Sequence, residues 1–289
     1  MLLEHGADPF ILSNLDANIL HAAAESKTAG ALNEALDIYR RHPHRLDINQ
    51  PNHWGETPLH VAAWGSIENV RKLVHAGADC GARQEDNQVP LHCTGQTAAP
   101  DVRHQIIPLL CKDDPAGHIN TQDNDGRPPL FDYLDDAKSV KMLIDYGAHL
   151  GLLDNEGKTA FHHACMQDQP RTLKTLLSLS TPNSIIVTVK DHDGNTPLIH
   201  ALKCQSRECA LELLKLDDVG DVVGQHGWAA IHHAAKFGDL QVLEQVVGHQ
   251  SFVGGVKTIE GMTAEGVAME AGTWSGDVKA LLRRCCAVS

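Results

Sequence analysis

A four-residue pattern returns along this chain at nearly constant intervals, and that return restricts the possible folds more than any other feature. It is clearest as Thr57-Pro58-Leu59-His60. Its counterparts are Asn18-Ile19-Leu20-His21, Val89-Pro90-Leu91-His92, Pro128-Pro129-Leu130-Phe131, Thr159-Ala160-Phe161-His162, Thr196-Pro197-Leu198-Ile199, Ala229-Ala230-Ile231-His232 and Thr263-Ala264-Glu265-Gly266. The last residues of successive slots are 39, 32, 39, 31, 37, 33 and 34 positions apart. Within one period, Thr57 is a helix N-cap and Pro58 occupies the first helical position, where its missing N–H costs nothing. Leu59, Ala62 and Ala63 share one face of the helix that follows. Val70, Leu73 and Val74 give a second helix its apolar stripe, and Gly77 supplies a left-handed stop. Such a unit has too much apolar surface to fold alone, so like units must stack on both sides of it.

A period near 33 marked by T-P-L-H resembles the ankyrin repeat. The resemblance covers essentially the whole chain. It is strongest in the second repeat (52–84) and in the seventh, where Gly227-Trp228-Ala229-Ala230-Ile231-His232-His233-Ala234-Ala235 carries it. It implies an all-α architecture, an ankyrin-type α-solenoid of stacked helix-turn-helix repeats, and it implies protein binding on a concave face and on the turn tips. A repeat array also escapes the usual length limit on a single core, because each unit touches only its neighbours.

The repeats divide the chain into a partial unit at 1–12, seven repeats over 13–257, a capping repeat at 258–285 and a tail at 286–289. Leu2-Leu3-Glu4-His5-Gly6-Ala7-Asp8 matches the end of the second repeat, Leu73-Val74-His75-Ala76-Gly77-Ala78-Asp79, so the chain is expected to begin in mid-unit. In the first repeat a long second helix is expected from Ala31 to Arg41. The third repeat lacks the Ala-Ala pair after Leu91-His92. The fourth has Pro128 and Phe131 in place of the capping Thr and the His. Ile185–Val189, a β-branched run, is expected to pair briefly as a strand. Glu265, polar where leucine belongs, suits a terminal cap.

Charge bears on the choice of partner. The net charge of −13 disfavours a nucleic-acid backbone and favours a basic protein. No apolar run approaches the length of a membrane span, and the eight cysteines show no framework spacing. A reduced compartment, cytoplasmic or nuclear, is the expectation.

The residues that could carry chemistry read as structural. Slot histidines His21, His60, His92, His162 and His232 would sit about 8–10 Å apart in stacked helices, too far to share a metal ion. The resemblance implies instead that they satisfy backbone groups at helix starts. Cys204 and Cys209 have the wrong separation for zinc, and no partner pair follows. Asp123-Asn124-Asp125-Gly126 and Asp191-His192-Asp193-Gly194 are similar to calcium loops, but position twelve falls on Asp132 and His200 rather than on Glu. They read better as tight turns. There is no nucleophile elbow, phosphate loop or kinase signature, and neither a catalytic role nor a cofactor is expected.

Surface recognition is left. Carried onto this sequence, the family's turn tips are His53, Trp54, Asp86, Asn87, Asn124, Asp125, Asn155, Glu156, His192, Asp193 and His226, with Trp228 directed toward the same face. Tryptophan is the residue type most often dominant at binding surfaces. For Trp54 and Trp228, packing between repeats is the competing reading. For Trp64, beside Ala62-Ala63, packing is the expectation. The leading functional expectation is a non-enzymatic scaffold or adaptor for a protein partner. The alternative is the recognition array of a larger, truncated signalling protein with an NTPase or effector domain. The last four residues, Cys286-Ala287-Val288-Ser289, match the C-a-a-X prenylation pattern, with Cys285 open to palmitoylation; a capping helix that ends in small residues would read the same way. Contact with a membrane surface is expected only if Cys286 is farnesylated.

Overall fold

A computed structural model describes residues 8–26, 30–112, 117–180, 185–219, 223–224, 227–249 and 256–286, the side chains of 185–186 and 284–286 excepted. The chain forms two compact units, Met1–His149 and Leu150–Ser289. Among the described residues all regular elements are helices, apart from one isolated bridge between Val223 and Ala229.

In the first unit the helix pairs are α1 (Ile19–Glu25) with α2 (Ala31–Arg41), α3 (Pro58–Ala63) with α4 (Ile67–His75), and α5 (Pro90–Thr97) with α6 (Pro100–Cys111). The fourth pair joins a 3₁₀ turn, Pro129–Tyr133, to α7 (Ala137–Asp145). In the second unit the pairs are α8 (Ala160–Met166) with α9 (Pro170–Leu179), α10 (Pro197–Lys203) with α11 (Arg207–Leu213), α12 (Ala230–Phe237) with α13 (Leu240–Gly248), and α14 (Ala264–Glu270) with α15 (Gly276–Cys286). First helices stack on first helices and second on second, so each unit has an inner and an outer row.

The residues explain the packing. Leu59, Ala62, Ala63, Val70 and Leu73 are fully buried, as are Phe161, Ala164, Leu173 and Leu176 in the fifth repeat. The Ala pairs let neighbouring inner helices approach closely, and the leucines fill the layer between the rows. The short inner helices leave carbonyls unpaired at their C-termini. A polar side chain of the next repeat meets several of these. Asn69 donates to the Ala24 carbonyl at 3.0 Å, Thr94 to Ala63 at 3.2 Å, Ser206 to Cys165 at 2.7 Å and Thr273 to Ala235 at 2.6 Å.

One expectation changes, and one departure from the repeat pattern is accounted for. Ile185–Thr188 is a 3₁₀ turn, not a strand; among the described residues the β-branched run has no neighbouring strand to pair with, and a lone strand leaves its backbone unpaired. In the third repeat, Cys93-Thr94-Gly95 continues the helix where the Ala pair is missing, so α5 runs to Thr97. Gly95 is what allows this: a Cβ there would lie 2.6 Å from the Tyr133 ring and 2.7 Å from Asp132 Cβ.

The fourth repeat carries the least satisfied interior. Tyr133 is fully buried and donates to the Leu91 carbonyl at 2.8 Å. Beside it the buried Arg103 pairs with Asp135. Asp132 is within 3.7 Å of Arg127, yet its Oδ2 and the Nε atoms of Arg103 and Arg127 are buried without hydrogen-bond partners. Burial pushes the Asp132 carboxyl up to about 7, against the pull of Arg127 and Gln96. A carboxyl raised in the folded state stabilises below its unfolded value of 3.8 and loses that contribution as pH rises through about 7. Hydrogen exchange should therefore show the weakest protection of the array in repeats three and four (85–153). Asp132→Asn, which removes the buried charge, should raise protection there at pH 8 by on the order of 2 kcal/mol. Greater protection in these repeats than in repeat two, or a loss of protection in the variant, would contradict this account.

Candidate functional site: histidine bridges and exposed turn tips

The slot histidine makes two bonds at once. Thr57 N–H donates to His60 Nδ1 at 3.1 Å, and His60 Nε2–H donates to the Gln88 carbonyl of the next repeat at 3.1 Å. His21 joins Asn18 N–H to the Glu56 carbonyl, at 3.2 and 2.9 Å. His92 joins Val89 to Arg127 at 3.1 and 3.1 Å, and His162 joins Thr159 to Asn195 at 3.0 and 3.1 Å. An acceptor on one side and a carbonyl on the other define a neutral ring with the proton on Nε2. Val89 and Ala229 have no side-chain oxygen to cap with, and there the histidine still accepts from the backbone N–H. His232 sits near the Met262 carbonyl, but its buried Nε2 forms no bond of normal length. Phe131 and Ile199 have no ring nitrogen to offer. Next to Ile199, His200 instead donates to Asp191 Oδ2 at 2.6 Å.

Burial drives His60 and His162 down to about 4, outweighing their backbone bonds. His21, His92, His200 and His232 are lowered for the same first reason. In His21, His60, His92 and His162 both nitrogens are occupied by the bridge, so these four rings present no free nitrogen to a metal ion.

The loops before each slot are tight turns, as their composition indicates. Asp123 Oδ1 accepts from Asp125 and Arg127 N–H at 3.0 and 2.8 Å, and Asp191 Oδ1 accepts from Asp193 and Asn195 N–H at 3.0 and 2.8 Å. Asp154 repeats the pattern, with His163 on its Oδ2 at 2.7 Å. Burial raises the Asp154 and Asp191 carboxyls, but the hydrogen bonds they accept more than reverse this and hold both below the usual range. In each turn the Oδ1 of the leading Asp is spent on the turn's own N–H groups.

A backbone ladder ties consecutive tips: His53 N–H to the Leu15 carbonyl at 2.9 Å, Glu85 to Trp54 at 3.1 Å, Asn124 to Asp86 at 2.9 Å and, in the second unit, His192 to Glu156 at 2.9 Å. With the main chain fixed, His53, Trp54, Asp86, Asn87, Asn124, Asp125, Asn155, Glu156, His192 and Asp193 are exposed. Trp228 is half-buried against His233, with ring centroids 4.9 Å apart and Lys236 Nζ 5.6 Å from its ring. It lines a cleft of about 310 Å³ with Lys203, Gln205, Lys236 and Phe237. Burial, then Lys203 and the neighbouring cations, press His233 down to about 3. Trp64 departs from expectation. It caps the short α3 instead of packing within it, and is 46% exposed, because the inner helix ends at Ala63, one residue before it. Sequence reasoning placed it beside the Ala pair but could not see that the helix stops there.

The remaining candidates are quickly placed. Cys209 is buried and Cys204 exposed. Burial raises the Cys93 thiol to about 12 and the Cys165 thiol well above its ordinary value. Among the described residues no cluster of three or more metal-ligating side chains occurs, and no helix is long and apolar enough to cross a membrane. His226, the side chains of Cys285 and Cys286, and residues 287–289 lie outside the described part, so the tip assignment of His226 and the lipidation pattern have no structural counterpart here.

Stacked helix pairs, a bridging slot histidine and projecting turns define an ankyrin-type helical repeat protein, a class that typically serves protein–protein interaction. The family described as "Ankyrin repeats (3 copies)" matches residues 1–84 and 131–223, more than half of the chain. The chain belongs to the ankyrin-repeat family. It is similar to human inversin, 28% identical over 161 residues that make up 54% of this chain and 15% of inversin. It is 26% identical over 218 residues to the mouse B-cell lymphoma 3 protein homolog, covering 72% of this chain and 40% of the relative. To human rabankyrin-5 it is 27% identical over 164 residues, 55% of this chain and 13% of the relative. The chain thus matches well under two thirds of each of these relatives.

The bridge predicts a pH response. Imidazoles lowered in the folded state stabilise above the unfolded value of 6.5 and lose that contribution as pH falls toward about 4. His162 alone can lose on the order of 3 kcal/mol over that window. His162→Gln keeps an acceptor for Thr159 N–H, as in a capping box, but cannot also reach Asn195. The variant should be about 1 kcal/mol less stable at pH 7, and its stability should fall less steeply between pH 6.5 and 4.5. Denaturant titrations at both pH values check this; an unchanged pH slope refutes it.

Proposed function

We propose that the chain is a non-enzymatic scaffold that holds a protein partner on its turn tips and inner helices. The observation that carries this reading is the exposure of the tip side chains His53, Trp54, Asn124, Asp125, Asn155, Glu156, His192 and Asp193 on loops whose backbones are fixed by the fold. A partner meets these groups without the cost of ordering the loops that carry them. Trp228, set in a cleft between Lys203 and Lys236, is the anchor proposed for the second unit. That cleft is locally basic and suits an acidic side chain, although the chain as a whole is acidic. The short shares of inversin and rabankyrin-5 that are matched support a second reading, in which this array is the recognition part of a longer signalling polypeptide. A cytoplasmic setting agrees with either reading.

Trp228→Ala should weaken the natural partner, once captured with the intact chain, by more than about 1 kcal/mol with helicity unchanged. Lys257→Ala, at the exposed far end of the same repeat, should leave affinity within measurement error. Binding by both variants at the parent's affinity removes the seventh repeat from the interface.

The C-terminal Cys286-Ala287-Val288-Ser289 adds a proposed farnesyl anchor, which would make the scaffold an adaptor at a membrane surface. Intact mass of the protein from its own cells should then show loss of Ala287-Val288-Ser289 and a methyl-esterified farnesyl group on Cys286. A mass ending at unmodified Ser289 eliminates the anchor.

A further inference from the structure

Two of the four tryptophans in this chain stand on the walls of one cleft in the first unit. Trp54, at a turn tip, is 48% exposed, and Trp64, at the end of α3, is 46% exposed. Large indoles left half in water carry a hydration cost that the packing of the array does not explain. The cleft they border measures about 390 Å³, and its other lining residues are Glu56, Gln84, Glu85 and Asp86.

Its charge has one sign. No lysine, arginine or histidine lines it. Glu85 and Asp86 are exposed, and none of the three carboxylates is ion-paired with another of the described residues. Glu56 is oriented by a 2.8 Å hydrogen bond from Asn52, and Gln84 by donating to Gln88 at 2.9 Å.

Its walls are fixed before any ligand arrives. Glu85 N–H donates to the Trp54 carbonyl at 3.1 Å. Between them Gly55, at φ +76°, lets the two tips approach so closely that a Cβ would lie 2.8 Å from the Glu85 nitrogen. Trp64 is placed by the end of α3, where it is the C-cap and its N–H bonds back into the helix. A cleft that is apolar on its faces, anionic on its edges and preorganised selects one kind of group: a flat, weakly hydrated cation on an apolar stem. Arginine fits this description better than lysine, because its guanidinium stacks on an indole face while its N–H groups reach carboxylates in the plane.

We propose that the Trp54–Trp64 cleft receives an arginine side chain from a basic segment of the partner protein, with Glu56, Glu85 and Asp86 as its counter-charges. This rests on the protein-binding reading above and adds the chemistry of one contact to it. It also separates the two clefts by charge, the first unit's for a cation and the second unit's, around Trp228, for an anion.

The test uses the intact chain and a blocked seven-residue peptide of alternating glycine and arginine, followed by calorimetry and by tryptophan fluorescence. A peptide with glutamate in place of arginine is the control. The arginine peptide should bind and change the indole emission, and the glutamate peptide should do neither. Trp54→Ala, and separately Glu85→Lys combined with Asp86→Lys, should each weaken the arginine peptide at least tenfold with circular dichroism unchanged; all three positions are exposed, so the fold should tolerate them. Lys257→Glu, at an exposed position in neither cleft, should leave its affinity within twofold. Absence of binding overturns the proposal. So does equal binding by the parent and the cleft variants, which would reduce the effect to diffuse attraction by a net charge of −13. If either occurs while Trp228→Ala still weakens the natural partner, this cleft is wrong and the scaffold reading stands.

Discussion

Much of this structure depends on a neutral imidazole that bonds in two directions. In His21, His60, His92 and His162 one nitrogen accepts from the start of its own helix and the other donates to a carbonyl in the following repeat. Local capping and inter-repeat docking are thus one interaction. A serine or glutamate could cap as well, but only a ring with a donor and an acceptor on opposite edges spans the two repeats. Because the acceptor is a backbone carbonyl, the next repeat is free to vary its side chain there: Glu56, Gln88, Arg127 and Asn195 all serve equally. This is how repeats whose sequences differ so much can stack with one geometry.

The same arrangement separates stability from recognition. Tip backbones are tied by main-chain hydrogen bonds and, in repeats two, four, five and six, by the Asp or Asn that begins the turn, whose Oδ1 is occupied in the turn itself. Neither device uses the side chains at the two central turn positions. Apart from Asn124, which bonds Asn87 and the Glu85 carbonyl of the preceding tip, those side chains can therefore change in charge and size with little effect on the fold, which is the condition for a surface to acquire specificity. The two clefts illustrate it. Each pairs tryptophan with charge on a similar frame, yet one is lined by carboxylates and the other by lysines. Net charge, which reports only the sum, predicts a basic partner and misses the basic cleft around Trp228.

What was legible in the sequence is what local chemistry determines. Thr57-Pro58 and Thr196-Pro197 mark helix starts, Ala31 and Arg41 bound the long second helix of the first repeat, and both agree with the structure. What was not legible depends on neighbours distant in the chain. Ile185–Thr188 has strand-forming residues but, among the described residues, no strand beside it. Trp64 follows an alanine pair that is buried, yet the helix ends before the indole does. Arg103, the half-buried Arg127 and Asp132 lie in three separate segments, and only their convergence makes Asp132 a costly charge. The clefts, too, are made by residues about thirty positions apart, one period of the repeat, and periodicity alone gives no sign of which side chains remain uncovered.

The fourth repeat shows what happens where the bridge is absent. Phe131 occupies the slot and is buried, with Tyr133 and Leu134 beside it, so the repeat compensates by filling its layer with apolar and aromatic volume. The capping Thr becomes Pro128, the inner helix tightens to a 3₁₀ turn, and Tyr133 rather than a histidine bonds a carbonyl, that of Leu91, in the repeat before. The direction of the inter-repeat bond is reversed: the slot histidines donate forward along the chain, and the tyrosine donates backward. An inner element built in this way leaves Asp132 enclosed without a full set of partners, whereas the Asp residues that begin the turns of repeats five and six close on N–H groups and on a histidine. Aromatic filling replaces the volume of the histidine slot but not its two-sided polarity, and the unsatisfied atoms of Arg103, Arg127 and Asp132 are concentrated where that polarity is missing.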